Sequence, residues 1–287
     1  NLINLKRKKK VLKVFTVSFL ITAFIVTKTS ANNKCSIESP TIVPKYNLIE
    51  KCHRSTLGIA AKANFTSLTS CQRLGIQKKA LALNFSPEMS FKDGDGDVEP
   101  LEYTCEVLKC AEADGGLSLT NDTRYDYYSI YGKPLPGVNS TCVPATGMFF
   151  LLPKRRNYTQ AQARCRSISG VLADVSSEQR TDALSQVLSS AGVNAAYVAM
   201  WSRNDSVFYT NSDSLDCTTY RAWAPGYPRR SPNMTCVVLT RFHTWRTSSC
   251  KARFQALCEL IPGGPYKKGS IFPSIPRNDF SDHRIQT

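Results

Sequence analysis

Eleven cysteines in a chain of 287 residues narrow its fold more than any other feature. Reduced cytosolic proteins rarely carry so many, whereas small domains in an oxidising compartment are held together by disulfides. The N-terminus points the same way. Lys6, Arg7, Lys8, Lys9 and Lys10 precede the apolar stretch VLKVFTVSFLITAFIV, and Thr29-Ser30-Ala31 puts small residues where a signal peptidase reads. A basic, an apolar and a small-residue segment in this order predict a signal peptide over 1–31, cleaved after Ala31, and hence a secreted protein. The alternative is a type II membrane anchor. Its apolar run, Val14 to Val26, is 13 residues, shorter than the roughly 20 that a spanning helix needs.

Asn-x-Ser/Thr sequons stand at Asn64, Asn84, Asn121, Asn139, Asn157, Asn204 and Asn233. As a set they fit a secreted glycoprotein, with occupied sites on the surface. Asn84 is the exception, because Pro87 follows closely and its segment reads as a strand.

The formal charge of +15 is unevenly spread. Residues 32–143 carry 12 basic and 13 acidic groups, and residues 144–261 carry 14 and 7. The positive field therefore belongs to the second region, which favours an anionic partner such as an acidic glycan or acidic protein surface. The compartment disfavours nucleic acid.

Four parts follow along the chain: 1–31, the targeting segment; 32–143 and 144–261, two cysteine-bearing regions; and 262–287, a Pro/Gly-rich, polar and flexible tail. GKPLPGVNS, near 132–140, reads as a linker or turn. In the first region, FTSLTSCQRLGIQKK predicts a short helix capped by Thr66 or Ser67. ALALNF alternates Leu81, Leu83 and Phe85, the pattern of a strand with one buried face. A polar loop then leads to a second strand in YTCEVLKC. Asp93 to Glu99, DGDGDVE, alternates carboxylates and glycines but lacks the twelve-residue frame of an EF-hand, so it reads as a solvated acidic loop.

This helix, strand, loop, strand order with a helix-to-strand cysteine pair resembles the PAN/apple family over about residues 50–132. The resemblance implies a Cys71–Cys105 bond and a protein- or glycan-binding module. The family's second pair would fall near Gly75 and Ala80, and both positions lack cysteine here.

The second region is more specific. Tyr158, Ala161 and Cys165 share a helical face, followed by a Gly at the helix end and the short strand GVLADV. SSEQRTDALSQVL opens on an N-capping Ser and gathers Leu184, Val187 and Leu188 on one side. AYVAMW, a long irregular stretch from about 202 to 233, and three strand-like segments in TCVVLTRFHTWRTSSCKARFQALCEL complete it. The order resembles the C-type lectin domain. Tyr197 to Met200 stand where that family has WIGL, and Trp223 with PGYP where it has W-x-P-G-x-P. The resemblance implies Cys165–Cys258 and Cys236–Cys250 disulfides. It also implies an α+β, C-type lectin-like fold: two helices, small antiparallel sheets and a long loop, preceded by a small disulfide-bonded α+β PAN/apple-like domain.

Sugar-binding members of that family hold calcium through Glu-Pro-Asn or Gln-Pro-Asp in the loop and Asn-Asp after a Trp. The corresponding residues here are Tyr227-Pro228-Arg229 and Trp245-Arg246-Thr247. Calcium needs six to eight oxygen ligands, and arginine supplies none and repels the ion. No cofactor is therefore expected. Arg221, Arg229, Arg230 and Arg246, with Tyr227 and with Tyr220 and Trp223 nearby, instead suggest a face for carboxylate or sulfate groups. Trp223 itself is expected in the core.

Enzyme signatures are missing: three histidines, His53, His243 and His283, and no Gly-x-Ser-x-Gly, His-Glu-x-x-His or phosphate-binding glycine loop. With no Cys-x-x-Cys, disulfides account for the cysteines better than zinc does. Beyond the implied pairs, Cys35, Cys52, Cys110, Cys142 and Cys217 remain. Cys52 with Cys110 or Cys142 would close the first domain. One thiol is left over and is able to link to a second chain; Cys35 is the first candidate and Cys217 the next. The expected function is extracellular recognition or adhesion through a calcium-independent lectin-like domain. The alternatives are a calcium-dependent lectin with an atypical site and a disulfide-linked matrix component.

Overall fold

The computed structural model describes residues 35, 43–87, 102–116, 118–133, 135–137, 140–203, 207–211, 213–263, 271 and 272. The segment 1–31 expected to be a signal peptide, the acidic stretch 93–99 expected to be a solvated loop and the sequons at Asn139 and Asn204 lie outside these residues. No helix among the described residues is long and apolar enough to cross a membrane.

The first region forms strands β1 (Asn47–Glu50), β2 (His53–Ser55) and β3 (Ile59–Ala63), helix α1 (Leu68–Gln77), and strands β4 (Ala82–Phe85), β5 (Cys105–Leu108), β6 (Leu119–Asn121) and β7 (Asp126–Ser129). Five of these make an antiparallel sheet in the order β1-β7-β4-β5-β3, while β2 pairs with β6. Ser67 caps α1 by accepting from the N–H of Ser70, one of the donors a helix start leaves unpaired. Cys71 on α1 is bonded to Cys105 on β5. The hydroxyl of Tyr46 donates to the carbonyl of Ala80 at 2.8 Å. It lies 2.6 Å from where a Cβ on Gly75 would sit, so any larger residue there would expel it.

Sequence alternation predicts one buried face for β4, and the structure buries both. Leu83 and Phe85 turn to α1. Asn84, on the other face, behaves as a strand partner: it accepts from the N–H of Ser55 at 3.0 Å and donates to the carbonyl of Ser55 at 2.7 Å. Its amide also donates to Glu106 at 3.0 Å. A buried polar side chain is tolerated only when its bonds are made, and Asn84 makes them with a neighbouring backbone.

The second region, joined by residues 140–143 from the end of the first, contains β8 (Ser140–Val143), β9 (Gly147–Leu151), α2 (Tyr158–Ser167), β10 (Gly170–Leu172), α3 (Glu178–Ser190), β11 (Ala195–Ser202), β12 (Phe208–Tyr209), a 3-10 turn (Leu215–Cys217), β13 (Cys236–Thr240), β14 (Trp245–Ser248) and β15 (Gln255–Leu260). The sheet runs β14-β13-β11-β15-β9-β8, with β10 beside β15 and β12 beside β11. β11 and β15 pair in parallel and the other pairs are antiparallel. Asn157 and Gln160 form a reciprocal capping box on α2, and Ser177 caps α3. α3 buries Leu184 and Leu188 against Ala196, Val198, Val237, Leu239 and Trp245. On the opposite sheet face Tyr197 meets Tyr158 and Phe254 edge-on, with ring centroids 5.3 and 5.2 Å apart. The glycine expected to end α2 does something else. Ser169 takes the left-handed conformation, at φ +58°. Gly170 is required because a Cβ would meet the Glu259 carbonyl oxygen at 2.8 Å.

The described residues of the two regions belong to one compact unit, and a single apolar cluster runs through both. β8 begins inside the stretch expected to be a linker and belongs to the second sheet. Four residues of the stretch expected to be a flexible tail are described, and they pack on the rest. Gly263 donates to the carbonyl of Ile130 at 2.7 Å, and Ile271 and Phe272 are buried in the shared core.

Two cysteine expectations are overturned. Cys35 is bonded to Cys217, and Cys110 to Cys142. The unpaired cysteine among the described residues is Cys52, exposed at the β1–β2 turn. Cys142 on β8 meets the chain just past β5, at Lys109 and Cys110, which leaves Cys52 without a cysteine to pair with among the described residues.

Candidate functional site

The site grows from the edge of the second sheet. On β14, Trp245 and Thr247 point to the core, while Arg246 between them points to solvent. Tyr220 and Trp223 stand edge-on to the Trp245 ring, with centroids at 5.3 and 5.5 Å, and Phe208 packs on Trp223 at 4.9 Å. The loop backbone pairs with the strand: Trp245 donates to the Ala222 carbonyl at 2.7 Å, and Ala224 to the Trp245 carbonyl at 3.0 Å. Trp223, expected in the core, is partly buried and packs against it, and so anchors the loop.

Beyond this anchor the chain turns through Gly226, at φ +77°, and the cis Tyr227–Pro228 peptide. Arg229 then returns to the strand, its N–H donating to the Thr247 hydroxyl at 2.9 Å. Tyr227 is thereby placed among cations. The guanidinium carbon of Arg229 lies 5.0 Å from its ring centroid, and that of Arg246 lies 5.8 Å away. Both distances fall in the range of cation–π attraction. Both arginines remain exposed.

The structure thus unites Tyr227, Arg229 and Arg246 of the residues expected from sequence. Arg230 is exposed beside them. Arg221 is engaged elsewhere: it donates to the carbonyls of Thr218 and Tyr220 at 2.5 and 2.8 Å and pairs with Asp216 at 3.4 Å. Tyr220 belongs to the Trp245 stack, where burial pushes its phenol above the ordinary value.

The donor set does not fit calcium. A tyrosine, two guanidiniums and a threonine hydroxyl already bonded to backbone stand where the resemblance would place carboxylates and amides. From Cys217 through Cys258 the chain has no Asp or Glu, while Arg221, Arg229, Arg230, Arg241, Arg246, Lys251 and Arg253 fall inside that stretch. Among the described residues, no group of three or more His, Cys, Asp or Glu side chains is placed to hold a metal. His243 is on the surface, 2.8 Å from Asp182.

Cys165–Cys258 ties α2 to β15, and Cys236–Cys250 ties β13 to the turn after β14. Cys35–Cys217 fastens the start of the described chain to the 3-10 turn that leads into the loop. Its sequence separation of 182 residues left no local signal for it. Arg241 and Phe242, at the β13–β14 turn near Arg246, also escaped the sequence reading, although the acid-free stretch around them was a signal. Among the sequons, Asn64, Asn121 and Asn233 are exposed, Asn157 is partly buried at its helix cap, and Asn84 is sealed.

With two helices, this sheet, the anchored loop and these disulfides, residues 154–260 form a C-type lectin domain, and they match the Lectin C-type domain family. That family binds glycans or proteins. A curated relative is Collectin-10 of Gallus gallus, 25% identical over 114 residues, which cover 39% of this chain. The match spans 41% of that relative, less than half of its length. Human lithostathine is 18% identical with a TM-score of 0.38, over 45% of this chain and 96% of its own. The mouse scavenger receptor C-type lectin carbohydrate-recognition domain is 15% identical with a TM-score of 0.38, over 48% and 98%.

Proposed function

We propose that this chain is an extracellular recognition protein whose lectin domain binds an anionic glycan without calcium, through Tyr227, Arg229, Arg230 and Arg246. The observation that carries the reading is the pair of exposed guanidiniums over one tyrosine ring, in the stretch 217–258 that has no Asp or Glu. Guanidinium groups form forked, charge-assisted hydrogen bonds with sulfate and carboxylate. The tyrosine face offers flat apolar area beside them.

The first region fits an accessory PAN/apple-like module. Its helix is disulfide-linked to the sheet, and the Tyr46 hydroxyl lies between Gly75 and Ala80, where that family's second bridge would fall. Five disulfides suit an oxidising compartment, in keeping with a cleaved leader over 1–31 and glycans on exposed sequons. The exposed Cys52 favours a second reading, a disulfide-linked matrix component.

Heparin binding by the mature protein, measured with calcium and with chelator, tests the main reading. Equal affinity in both is expected, with a loss of about tenfold or more in Arg229→Ala/Arg246→Ala. Binding that requires calcium, or a double variant that binds as the parent does, would overturn it. Competition by an acidic peptide but not by heparin would make the partner a protein.

A further inference from the structure

We infer that the anionic-glycan site does not stop at Tyr227. It continues along the outer face of β13 and β14 to the Arg241–Phe242 turn, and so takes a run of charged sugars rather than one terminal residue. This extension rests on the reading just given and deepens it.

Tyr227 and Arg246 open onto a groove of about 520 Å³, inside the roughly 300–1,000 Å³ of ordinary ligand sites. Val238 and Thr240 lie along its floor and Arg241 and Phe242 stand at its far end. Val238 pairs directly with Arg246, and Arg241 lies three residues further along the chain, in the turn just past the end of β13. At about 3.3 Å per residue, the two strand steps from Val238 to Thr240 carry the chain about 7 Å from the Arg246 pair before the turn to Arg241, more than the width of one sugar ring.

The far end repeats the near one. The Arg241 guanidinium lies 4.9 Å from the Phe242 ring centroid, as Arg229 and Arg246 lie over Tyr227. Phe242 is 63% exposed, the most of any large apolar side chain among the described residues. The turn that presents it is held from several sides. The Arg241 N–H donates to the Asn194 carbonyl at 3.1 Å, the Phe242 N–H to the Thr240 hydroxyl at 3.2 Å, and His243 meets Asp182 at 2.8 Å. An exposed ring on a fixed turn loses little freedom when a ligand covers it.

The groove lining contains no carboxylate, so its charge complements a polyanion. A glycan fits better than an acidic peptide strand. A peptide strand would bind by adding to a sheet edge, and the β14 edge is already paired at Trp245 with residues 222–224. Recognition is left to side chains, cations for charged substituents and two aromatic faces for rings.

Heparin oligosaccharides of increasing length, titrated onto the mature full chain in chelator, test this extension. For the parent, affinity is expected to climb with length. In Arg241→Gln and in Arg241→Ala/Phe242→Ser, with unchanged thermal midpoints, the shortest oligosaccharide should bind as before and the gain with length should fall about tenfold. Arg229→Ala/Arg246→Ala should weaken every length. If the Arg241 variants keep the full gain while the Arg229 and Arg246 variant weakens binding, the extension is wrong and the primary site stands. If the latter variant changes nothing, the primary site fails as well. If an acidic peptide displaces the longest oligosaccharide and outbinds it, the occupant is a protein and the extension is overturned.

Discussion

Thr247 and Arg229 are joined side chain to backbone: the threonine hydroxyl accepts the arginine N–H at 2.9 Å. This bond carries the loop across the edge of β14 and fixes Tyr227 between two guanidiniums. Thr247→Val keeps the shape and deletes the acceptor. Arg229 is exposed, so its freed N–H can turn to water, and the expected cost is about 1 kcal/mol. The loop must then be ordered on binding, so heparin affinity should fall although no contact residue has changed. Thr247→Asp adds one carboxylate, far short of calcium's six to eight oxygens, and isothermal titration should show no calcium binding.

Arg180 and Glu259 form a second relationship, deep in the lectin domain. Glu259 is fully buried and Arg180 nearly so. The guanidinium bonds the carboxylate and also donates to the Asp174 carbonyl at 2.8 Å, with the Phe149 ring 5.4 Å away. Removing one partner of such a pair strands a buried charge. Arg180→Ala should therefore destabilise the protein by about 3–5 kcal/mol, lowering Tm by roughly 10 °C. Replacing both partners with apolar residues should recover part of this, and scanning calorimetry separates the two results.

The first region should lose stability in acid through Glu106. Burial, the largest influence, pushes this carboxyl up. Hydrogen bonds from Arg54 and Asn84, the Arg54 charge and a bond from Lys62 outweigh burial and hold it below the ordinary 4.5. Its folded value is thus depressed. The stabilisation is complete above about pH 4.5 and disappears as pH falls through the folded value. Arg54→Met should cost roughly 1.5–3 kcal/mol at pH 7. Urea unfolding should show that difference shrinking by pH 3.

The lectin half was legible because its signals are local. Capping residues, the i, i+3, i+7 spacing of Tyr158, Ala161 and Cys165, and Trp245-Arg246-Thr247 each act within a few positions. What escaped depends on distant contacts. Asn84 reads as a solvent-facing strand residue until Ser55 supplies its backbone partner. Ile271 and Phe272 read as tail until Gly147, whose missing Cβ leaves room for Ile271, is brought beneath them. The loop arginines were legible as a cluster, but only the fold separates Arg221, engaged with Asp216 and nearby carbonyls, from Arg229 and Arg246 over Tyr227. The leftover cysteine was legible as a number and not as a position, since pairing is set by where β8 folds.

That position yields the last expectation. Cys52 is exposed, at φ +55°, with its N–H bonded to Asp126 at 3.0 Å, so its thiol projects from a turn and is open to reagents. An accessible thiol outside a disulfide exchanges readily in an oxidising space. The native protein should take up one equivalent of maleimide after mild reduction, and Cys52→Ser none. Without reductant the parent should migrate at twice its mass and Cys52→Ser at its own. Cys52→Gly should also run as a monomer and lose no stability, because glycine adopts positive φ without steric cost. A parent that runs as a monomer while labelling fully would leave recognition by the lectin face standing and remove the disulfide-linked matrix reading.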